Sequence, residues 1–454
     1  MSDVKKLQQE RINIYQDIFD NKIPKRVPVN VSLPLEVIAQ YGKIDLVEAQ
    51  WNLEKLEESA DKICQTVYSD TCVFMGTFRL PSFYQILKSQ SFVMALNGFI
   101  QHPEVTGMLP EDYDYLIEKP YDCIMERVLP RQYKALDYNN DPINSAISLT
   151  KSMLAYNNDF MQIGMLIGKL TEKYGYYPGS LSGGGFTEAP FDFLADQLRG
   201  FRGISMDIRR MPEKVAEACE ALYPIAFKKG LPSNPSKYAP VFIPLHMPTF
   251  MREKDFEKLF WPTFKRMVDE YASIGVHCNL FCEDDWMRYL DYLYELPTDT
   301  VLMFEYGDPK LIKDKLGKKH IITGLYPIMN LKTKTAKECV DELRKYIDIL
   351  APGGKYVFGF DKNPLLLDDI NLESLCAVAE TVRDYGVYSN PGEVAGMEFN
   401  KEDYKVESSR KIESKYYKTW EQYKALNPEV SDFAKTKLQG FEEALFQYLM
   451  YLLL

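Results

Sequence analysis

Apolar and polar positions recur along this chain with two different periods. Val4, Leu7, Ile14 and Ile18 fall close to the helical period, so residues 4–20 read as an amphipathic helix. Residues 27–32 (VPVNVS) read as a first strand ended by Pro34. A helical stretch follows to about Val67, and residues 71–75 (TCVFM) read as a second short strand ended by Gly76. Residues 77–173 look mainly helical and form a long insertion. Residues 178–183 (PGSLSG) are poor strand formers, but they stand where a third strand is due. From there the rhythm is regular. Strands at 241–245, 277–282, 300–304, 320–324 and 355–360 are each followed by a helix, at 255–274, 286–296, 309–316, 335–350 and 371–385. Gly386 stands where a helix C-cap is expected.

Strands alternating with helices imply a parallel sheet. Five clear strand–helix units and three weaker ones upstream fit a (β/α)8 TIM barrel with a large helical insertion after the second strand. An open doubly wound sheet is the alternative. No GxGxxG follows a strand and no GxxxxGK[ST] occurs, so the nucleotide-binding form of that alternative loses support. The chain divides into residues 1–395, the barrel with its insertion at about 77–173, and a C-terminal helical extension over 396–454. That extension is charged at first and ends in the apolar FEEALFQYLMYLLL, which reads as a helix docked on the barrel or on a neighbouring subunit. The apolar run is too short to span a bilayer.

Composition narrows the class. The chain has 454 residues, 46% of them hydrophobic and 26% charged, as expected of a globular protein rather than a disordered or fibrous one. Its formal net charge of −11 argues against nucleic acid or anionic membrane as the main partner. The first residues lack the apolar core and cleavage site of a signal peptide, and the 8 cysteines show no CxxC pair. A cytoplasmic protein with reduced, mostly buried thiols is expected. The 31 Tyr, 25 Phe and 18 Met would suffice to line an aromatic pocket, or equally a large core.

Active sites of such barrels lie at the C-terminal ends of the strands. His277 and His320 begin their strands and are expected to be structural; His102 lies in the insertion and could cap a turn or line a pocket. His246 ends the fourth strand and is the histidine expected at the mouth, in a site role or a structural one. On the fifth strand side chains alternate, so His277, Asn279, Phe281 and Glu283 share one face and Cys278, Leu280 and Cys282 the other. Either Glu283 with Asp285, or Cys282, faces the mouth; Glu283 is favoured. The sixth strand ends at Glu305 and Tyr306, the seventh at Tyr326 and the eighth at Phe360 and Asp361. The mouth would then carry His246, Glu283, Glu305 and Asp361. Such a set can hold Zn²⁺ with an open position or work as a metal-free acid–base site. Arg79 and the group Arg199, Arg202, Arg209 and Arg210 could bind a substrate carboxylate, with solvated arginines as the default. The SGGGF run at 182–186 could present amides to an anion or form a tight corner.

Several segments carry a resemblance: FIPLHMPTFM, FEKLFWPTFKRMVDEYASIGV, the FCEDDW turn, YLYELP, ITGLYP and a final helix ending RDYGVY. Together they resemble the uroporphyrinogen decarboxylase superfamily, best over residues 239–390. GFIQHPEV, VLPR and APFDFLADQLRGFRG look like a branch found with corrinoid-dependent methyltransferases. The RQAGR-like motif of the tetrapyrrole decarboxylases is missing, since GTFRLPSFY is not equivalent. The thiolate zinc ligands of the family's methyltransferases are missing as well: Phe281, Cys282 and Glu283 stand at the HxC position and Phe360 at the later cysteine. The strand-end positions, taken with the resemblance, point to a site with His246, Glu283 and Asp361 as catalytic groups. His246, Glu283 and Glu305 would be zinc donors, and Arg79, Phe281, Tyr306, Tyr326 and Phe360 would meet the substrate. It implies methyl transfer from a small, methoxylated aromatic to the cobalt(I) of a separate corrinoid protein, because no DxHxxG corrinoid signature occurs in this chain. A homodimer is expected on the same ground. Decarboxylation of a non-porphyrin substrate, or a noncatalytic paralogue, are the competing readings.

Overall fold

The computed structural model describes residues 3–77, 79–404, 406 and 411–453. It is an α/β protein whose centre is a five-stranded parallel sheet. In chain order the strands are β1 (Leu33–Pro34), β2 (Phe74–Gly76), β3 (Val93–Met94), β4 (Ile100–Gln101), β5 (Gly185–Phe186), β6 (Val241–Leu245), β7 (Cys278–Asp285), β8 (Val301–Tyr306) and β9 (Ile321–Gly324). β5 to β9 pair in sequence order, all parallel. β1 pairs with β2 in parallel, and β3 with β4 forms a small antiparallel hairpin. Single parallel bridges continue the pattern beyond β9: Ile322 to Tyr356, Tyr326 to Phe360, and Val29 to Phe358.

Strands β6 to β9 fall where the alternation places them, with helices after them, while residues 355–360, expected as a strand, carry only single bridges at Tyr356, Phe358 and Phe360. The helix Pro309–Leu316 has the expected bounds, capped by Asp308. Ala336–Leu350 starts on a Thr335/Glu338 capping box, and Leu372–Tyr385 starts on the Asn371 cap and ends at Gly386. The early strands differ from the sequence reading. Residues 27–32 carry one isolated bridge, Val29 to Phe358, rather than a ladder, because side chains take amides that a neighbouring strand would otherwise satisfy. Val29 N–H donates to Asp70 Oδ2 (2.8 Å) and Val31 N–H to Ser69 Oγ (3.1 Å). The third strand lies at Gly185–Phe186, not at 178–183. A Cβ on Gly184 would stand 2.1 Å from Ala239 O, so this glycine lets the chain press against the start of β6. The SGGGF run is thus a tight corner in which Gly184 N–H bonds Pro240 O (3.0 Å).

The insertion is mainly helical as expected, dominated by Pro142–Tyr174, with the β3–β4 hairpin as an added element. In the tail, Trp420–Leu426 and Lys435–Tyr451 are helices, and Phe446, Tyr448, Met450 and Leu452 are buried. Phe446 stacks on Tyr121 (5.8 Å between centroids) and Tyr448 packs on Tyr156 (5.4 Å), so the apolar end docks on this chain's own helices. Among the described residues no helix is long and apolar enough to cross a membrane.

The two faces of the sheet are packed differently. Ile243, Leu245, Leu280, Cys282, Leu302 and Phe304 point into the main core beneath the surrounding helices. The opposite face carries Phe242 and Pro244 on β6, Phe281 and Glu283 on β7, and Met303 and Glu305 on β8, all half-buried. Pro244, Phe281 and Met303 stand in register across three strands. At the strand starts, Val301 and Ile321 on this same face join Val357, Tyr15, Ile18 and Phe19 in a second apolar cluster. The helix Asp3–Phe19 therefore closes that end of the face, and the strand ends remain open. Fully buried Asp70 anchors this closure. It accepts from Arg11 Nε (3.2 Å), from both Arg26 NH groups (2.7 and 2.8 Å) and from Tyr68 Oη (3.0 Å).

Removing one partner of a buried ion pair leaves an uncompensated charge, at a cost of about 3–5 kcal/mol. Asp70→Ala strands two guanidinium groups and the Val29 amide. It is expected to lower the thermal unfolding midpoint strongly, whereas an exposed pair such as Lys310–Asp314 should shift it little when removed. Equal midpoints for the two variants would show that Asp70 does not anchor the helix.

Candidate active site

Residues 190–199 (PFDFLADQLR) form a helix entered at Pro190 and wound with i→i+5 hydrogen bonds from Phe193 to Arg199, a form often found at functional sites. Its apolar residues Phe193, Leu194, Ala195 and Leu198 are fully buried. Two aspartates four residues apart share its remaining face. Asp192 is buried and accepts two amides from the turn after β6: His246 N–H at Oδ2 and Met247 N–H at Oδ1, both at 3.1 Å. Asp196 reaches the His246 ring, with Oδ2 at 3.1 Å from Nδ1. One helix thus fixes both the backbone and the ring of His246. Nε2 makes no hydrogen bond among the described residues, and the side chain is 48% exposed.

The charges around His246 favour its cationic form. The hydrogen bond to Asp196 first, and then the negative charges of Asp196, Glu283 and Asp192, push the imidazole up to about 9 against a desolvation that opposes them. At neutral pH it is an imidazolium whose Nδ1–H donates to Asp196. Burial first, and the neighbouring Asp196 second, hold the Asp192 carboxyl well above the ordinary range.

Glu283 ends the half-buried face of β7, as the alternation implies, while Cys282 is fully buried on the other face. No hydrogen bond or ion pair occupies its carboxyl among the described residues. Burial raises its pKa, the His246 cation lowers it, and Glu305 and Asp196 raise it; the net direction is up. Glu305 goes the other way. Burial pushes it up, but the bonds from Lys362 Nζ and from Asp284 N–H (2.8 Å) outweigh that and hold it below its usual range. Asp284 is in the left-handed region (φ 59°), and the β7–β8 register shifts between Cys282 and Asp285. Glu305 therefore stabilises a bulged turn beside the site.

The other expected residues are distributed unevenly. Asp361 accepts Ile328 N–H and Lys362 N–H on Oδ1, both at 2.8 Å, and so ties together the turns after β9 and after Phe360. Tyr306 is 62% exposed at the end of β8. Tyr326 is fully buried; its hydroxyl donates to Cys339 O (2.8 Å), and its ring lies 5.8 Å from that of Phe360, which is also buried. The Tyr326 hydroxyl is thus turned into the helix layer rather than toward the mouth. Phe281 is half-buried beside Met303. Arg79 is exposed and lies 5.0 Å over the Phe92 ring, and His102 stacks on the same ring at 4.4 Å. Arg79 and Asp196 both act electrostatically on His102, which places this stack beside the His246 site. His277 is buried between Phe19 and Phe399, and burial pushes it down to about 3, as it does His320.

Among the described residues no three His, Cys, Asp or Glu side chains stand together as a metal-holding group. Asp196 engages Nδ1 of His246 and leaves Nε2 free, while Lys362 and the Asp284 amide engage Glu305. The residues that sequence reasoning missed are Asp192, Asp196 and Lys362. The two aspartates had a signal in the sequence: a D-x-x-x-D pair on an otherwise apolar helix. No protein-family profile matches the chain, and no curated protein matches it significantly.

Asp196→Asn removes the charge that holds the proton on His246. The imidazole is then expected to titrate nearer the ordinary value of about 6.5 instead of about 9, as read by NMR of its ring protons. His277 and His320 are pushed to about 3 and stay silent in that window. Since the folded value of His246 is raised, its contribution to stability is complete below about pH 6.5 and is lost as pH rises through about 9. The variant should lack this dependence. An unchanged His246 titration would rule out the pairing.

Proposed function

We propose that this chain is the substrate-side methyltransferase of an O-demethylating system. It would move a methyl group from a methoxylated aromatic to the cobalt(I) of a separate corrinoid protein. The observation that carries this reading is a cationic His246, held by Asp196, beside an unbonded and half-buried Glu283 at the open end of the sheet. The sequence resemblance to the corrinoid-linked branch of the uroporphyrinogen decarboxylase superfamily supplies the reaction class. We further infer that the sheet closes into a (β/α)8 barrel. The β1–β2 pair and the Val29, Tyr356 and Phe360 bridges place β9, residues 356–360, residues 29–34 and β2 side by side, as barrel order requires.

In this reading the aromatic ring lies against Phe281 and Met303. A ring carboxylate, where the substrate has one, meets Arg79 at the rim; among the described residues Arg79 has no carboxylate partner. The cob(I) centre of the partner is the methyl acceptor and supplies the nucleophile. As the methyl carbon–oxygen bond breaks, its electron pair stays on the aryl oxygen. His246 Nε2–H is placed to give that oxygen a proton, and Asp196 keeps the resulting imidazole oriented through Nδ1. Glu283, without a partner beside that ring, relays a proton from solvent back to the site for the next turnover. A positioned general acid of this kind contributes about 10²–10⁴-fold.

Zinc, which the resemblance implies, would find the free Nε2 of His246, with Asp196 on Nδ1 as an outer partner, and Glu283, whereas Glu305 is engaged by Lys362. The proposal routes the proton through His246 and derives no step through a metal. Decarboxylation is the second reading, because Arg79 with an imidazolium also suits binding a carboxylate and protonating the carbon it leaves.

The test mixes the purified chain with methoxylated benzoates and phenols and reduced cob(I)alamin, and follows the cobalt spectrum. Methylation of the corrinoid with release of the phenol is the expected result. His246→Ala and Glu283→Gln should each slow it at least about 100-fold with the fold intact. Asp196→Asn should move the alkaline limb of the rate profile to lower pH. Release of carbon dioxide without methylation would assign the second reading, and unchanged turnover in both variants would sink the site.

A further inference from the structure

The segment after the Asp192–Asp196 helix carries a surface that the chemistry above does not use. Phe201–Arg210 is a helix whose buried side consists of Gly203, Ile204 and Asp207. Asp207 is its sole acidic residue and is spent internally. It accepts from Arg199 Nε (2.6 Å) and from Tyr113 Oη (2.8 Å). The outer side is a continuous strip of Phe201, Arg202, Met206, Arg209 and Arg210, all exposed. Among the described residues none of the three guanidinium groups has a carboxylate within 4.0 Å.

Most arginines of the molecule are paired: Arg11, Arg26, Arg131, Arg199, Arg252, Arg266 and Arg383 meet carboxylates. Outside the strip Arg79 and Arg288 also lack a carboxylate, but Arg288 is spent on backbone carbonyls and Arg79 lies alone over Phe92. Three unpaired arginines on one helix therefore stand out in a chain with a net charge of −11. Arg209 and Arg210 end the helix, where its dipole favours cations, but Arg202 is in the first turn, where the dipole opposes it. Helix electrostatics alone therefore do not account for the strip. Its position adds the second observation. Phe201 packs edge-on against Phe250 (5.4 Å), and Phe250 packs edge-on against His246 (6.2 Å). Phe201 is 46% and Phe250 58% exposed. The basic strip thus runs without a break into the rim of the candidate site, through large apolar side chains that water covers in the free chain. Arginine, phenylalanine and methionine are the residues that interface cores favour.

We propose that this strip is the docking surface for an acidic face of the protein that carries the methyl acceptor. The inference rests on the methyltransferase reading and adds where, and by what charge, the partner binds. Three unpaired cations beside an exposed aromatic pair would attract and orient an acidic patch that the rest of this acidic chain repels. Phe201 and Phe250 would then be covered, and the carried acceptor would arrive at the His246 side of the sheet. A small-molecule acceptor would need none of these contacts.

The test compares wild type with the triple charge reversal Arg202→Glu, Arg209→Glu, Arg210→Glu. Each is given free cob(I)alamin and, separately, a corrinoid protein in the same reduced state, at low and at high salt. With the protein acceptor, the variant is expected to show at least a tenfold higher KM. The wild-type rate should fall steeply with salt and the variant rate should not. With free cob(I)alamin the two should be equal, which also shows that the variant is folded and active. Equal KM for the protein acceptor, or the same loss with both acceptors, would overturn the surface. Wild type that uses free cob(I)alamin but not the protein would overturn it too. Loss of binding to phosphatidylserine vesicles, with an unchanged protein-acceptor KM, would assign the strip to a membrane surface instead. No methylation by wild type with either acceptor would fail the underlying reading itself, an outcome distinct from all of these.

Discussion

A carboxylate taken out of water must be satisfied where it lies, and Asp192 meets that requirement by accepting the amides of His246 and Met247. Much of the candidate site follows from this one constraint. The turn after β6 cannot relax without leaving a buried acid with unmade bonds. The His246 ring is therefore presented to Asp196, four residues along the same helix. Position becomes charge: a ring held 3.1 Å from a carboxylate keeps its proton at neutral pH. The other end of the sheet uses the same device. Asp70 gathers Arg11, Arg26 and the Val29 amide, and so fixes the N-terminal helix across the start of the strands. One buried acid closes the floor and another builds the mouth.

The three titratable groups at the mouth are pushed apart rather than together. His246 is drawn up by its neighbours' negative charge, Glu283 is drawn up mainly by burial, and Glu305 is drawn down by Lys362. Divergent environments of this kind separate acid, base and structural roles among otherwise similar side chains. Glu305 illustrates the third role. Its charge serves the Asp284 turn and a lysine, so the bulge at the end of β7 holds its shape and Glu283 is left without a partner.

Legibility in the sequence follows the range of the interactions involved. The strands from β6 to β9 and the helices after them were readable because local signals agree: period-two strands, the Thr335–Glu338 capping box, the Asn371 cap and Gly386. The first strand was misplaced because Ser69 and Asp70, about 40 residues away, supply bonds that a ladder normally makes. The third was misplaced because Gly184 owes its place to contact with Ala239. At the site, His246 and Glu283 were legible from strand ends and alternation. Asp192 and Asp196 offered only their D-x-x-x-D spacing as a signal, since their partner lies some 50 residues downstream and only the packed fold brings them together. Tyr326 shows the limit of the strand-end rule. It stands in the expected row, yet its backbone neighbour Leu325 is left-handed (φ 68°) and the ring turns into the helix layer.

A cationic acid at an open mouth has a consequence for the surface around it. On the proposed methyl transfer, two reactants of unequal size would reach the same atoms, and one channel would not be shaped for both. The half-buried face with Phe281 and Met303 suits a flat, small reactant. The rim from Phe250 to Phe201 is exposed and flanked by unpaired arginines, which suits something large and negatively charged. The helix Phe201–Arg210 could have carried acids on its outer side, in keeping with the rest of the chain. Instead its single aspartate is withdrawn into the interior by Arg199. That pairing leaves the helix's one acid inside, and the outer guanidinium groups have no carboxylate partner among the described residues, although Glu104 accepts the Arg202 N–H (2.9 Å). The charge of the rim therefore comes from the arginines on the outer positions of this helix.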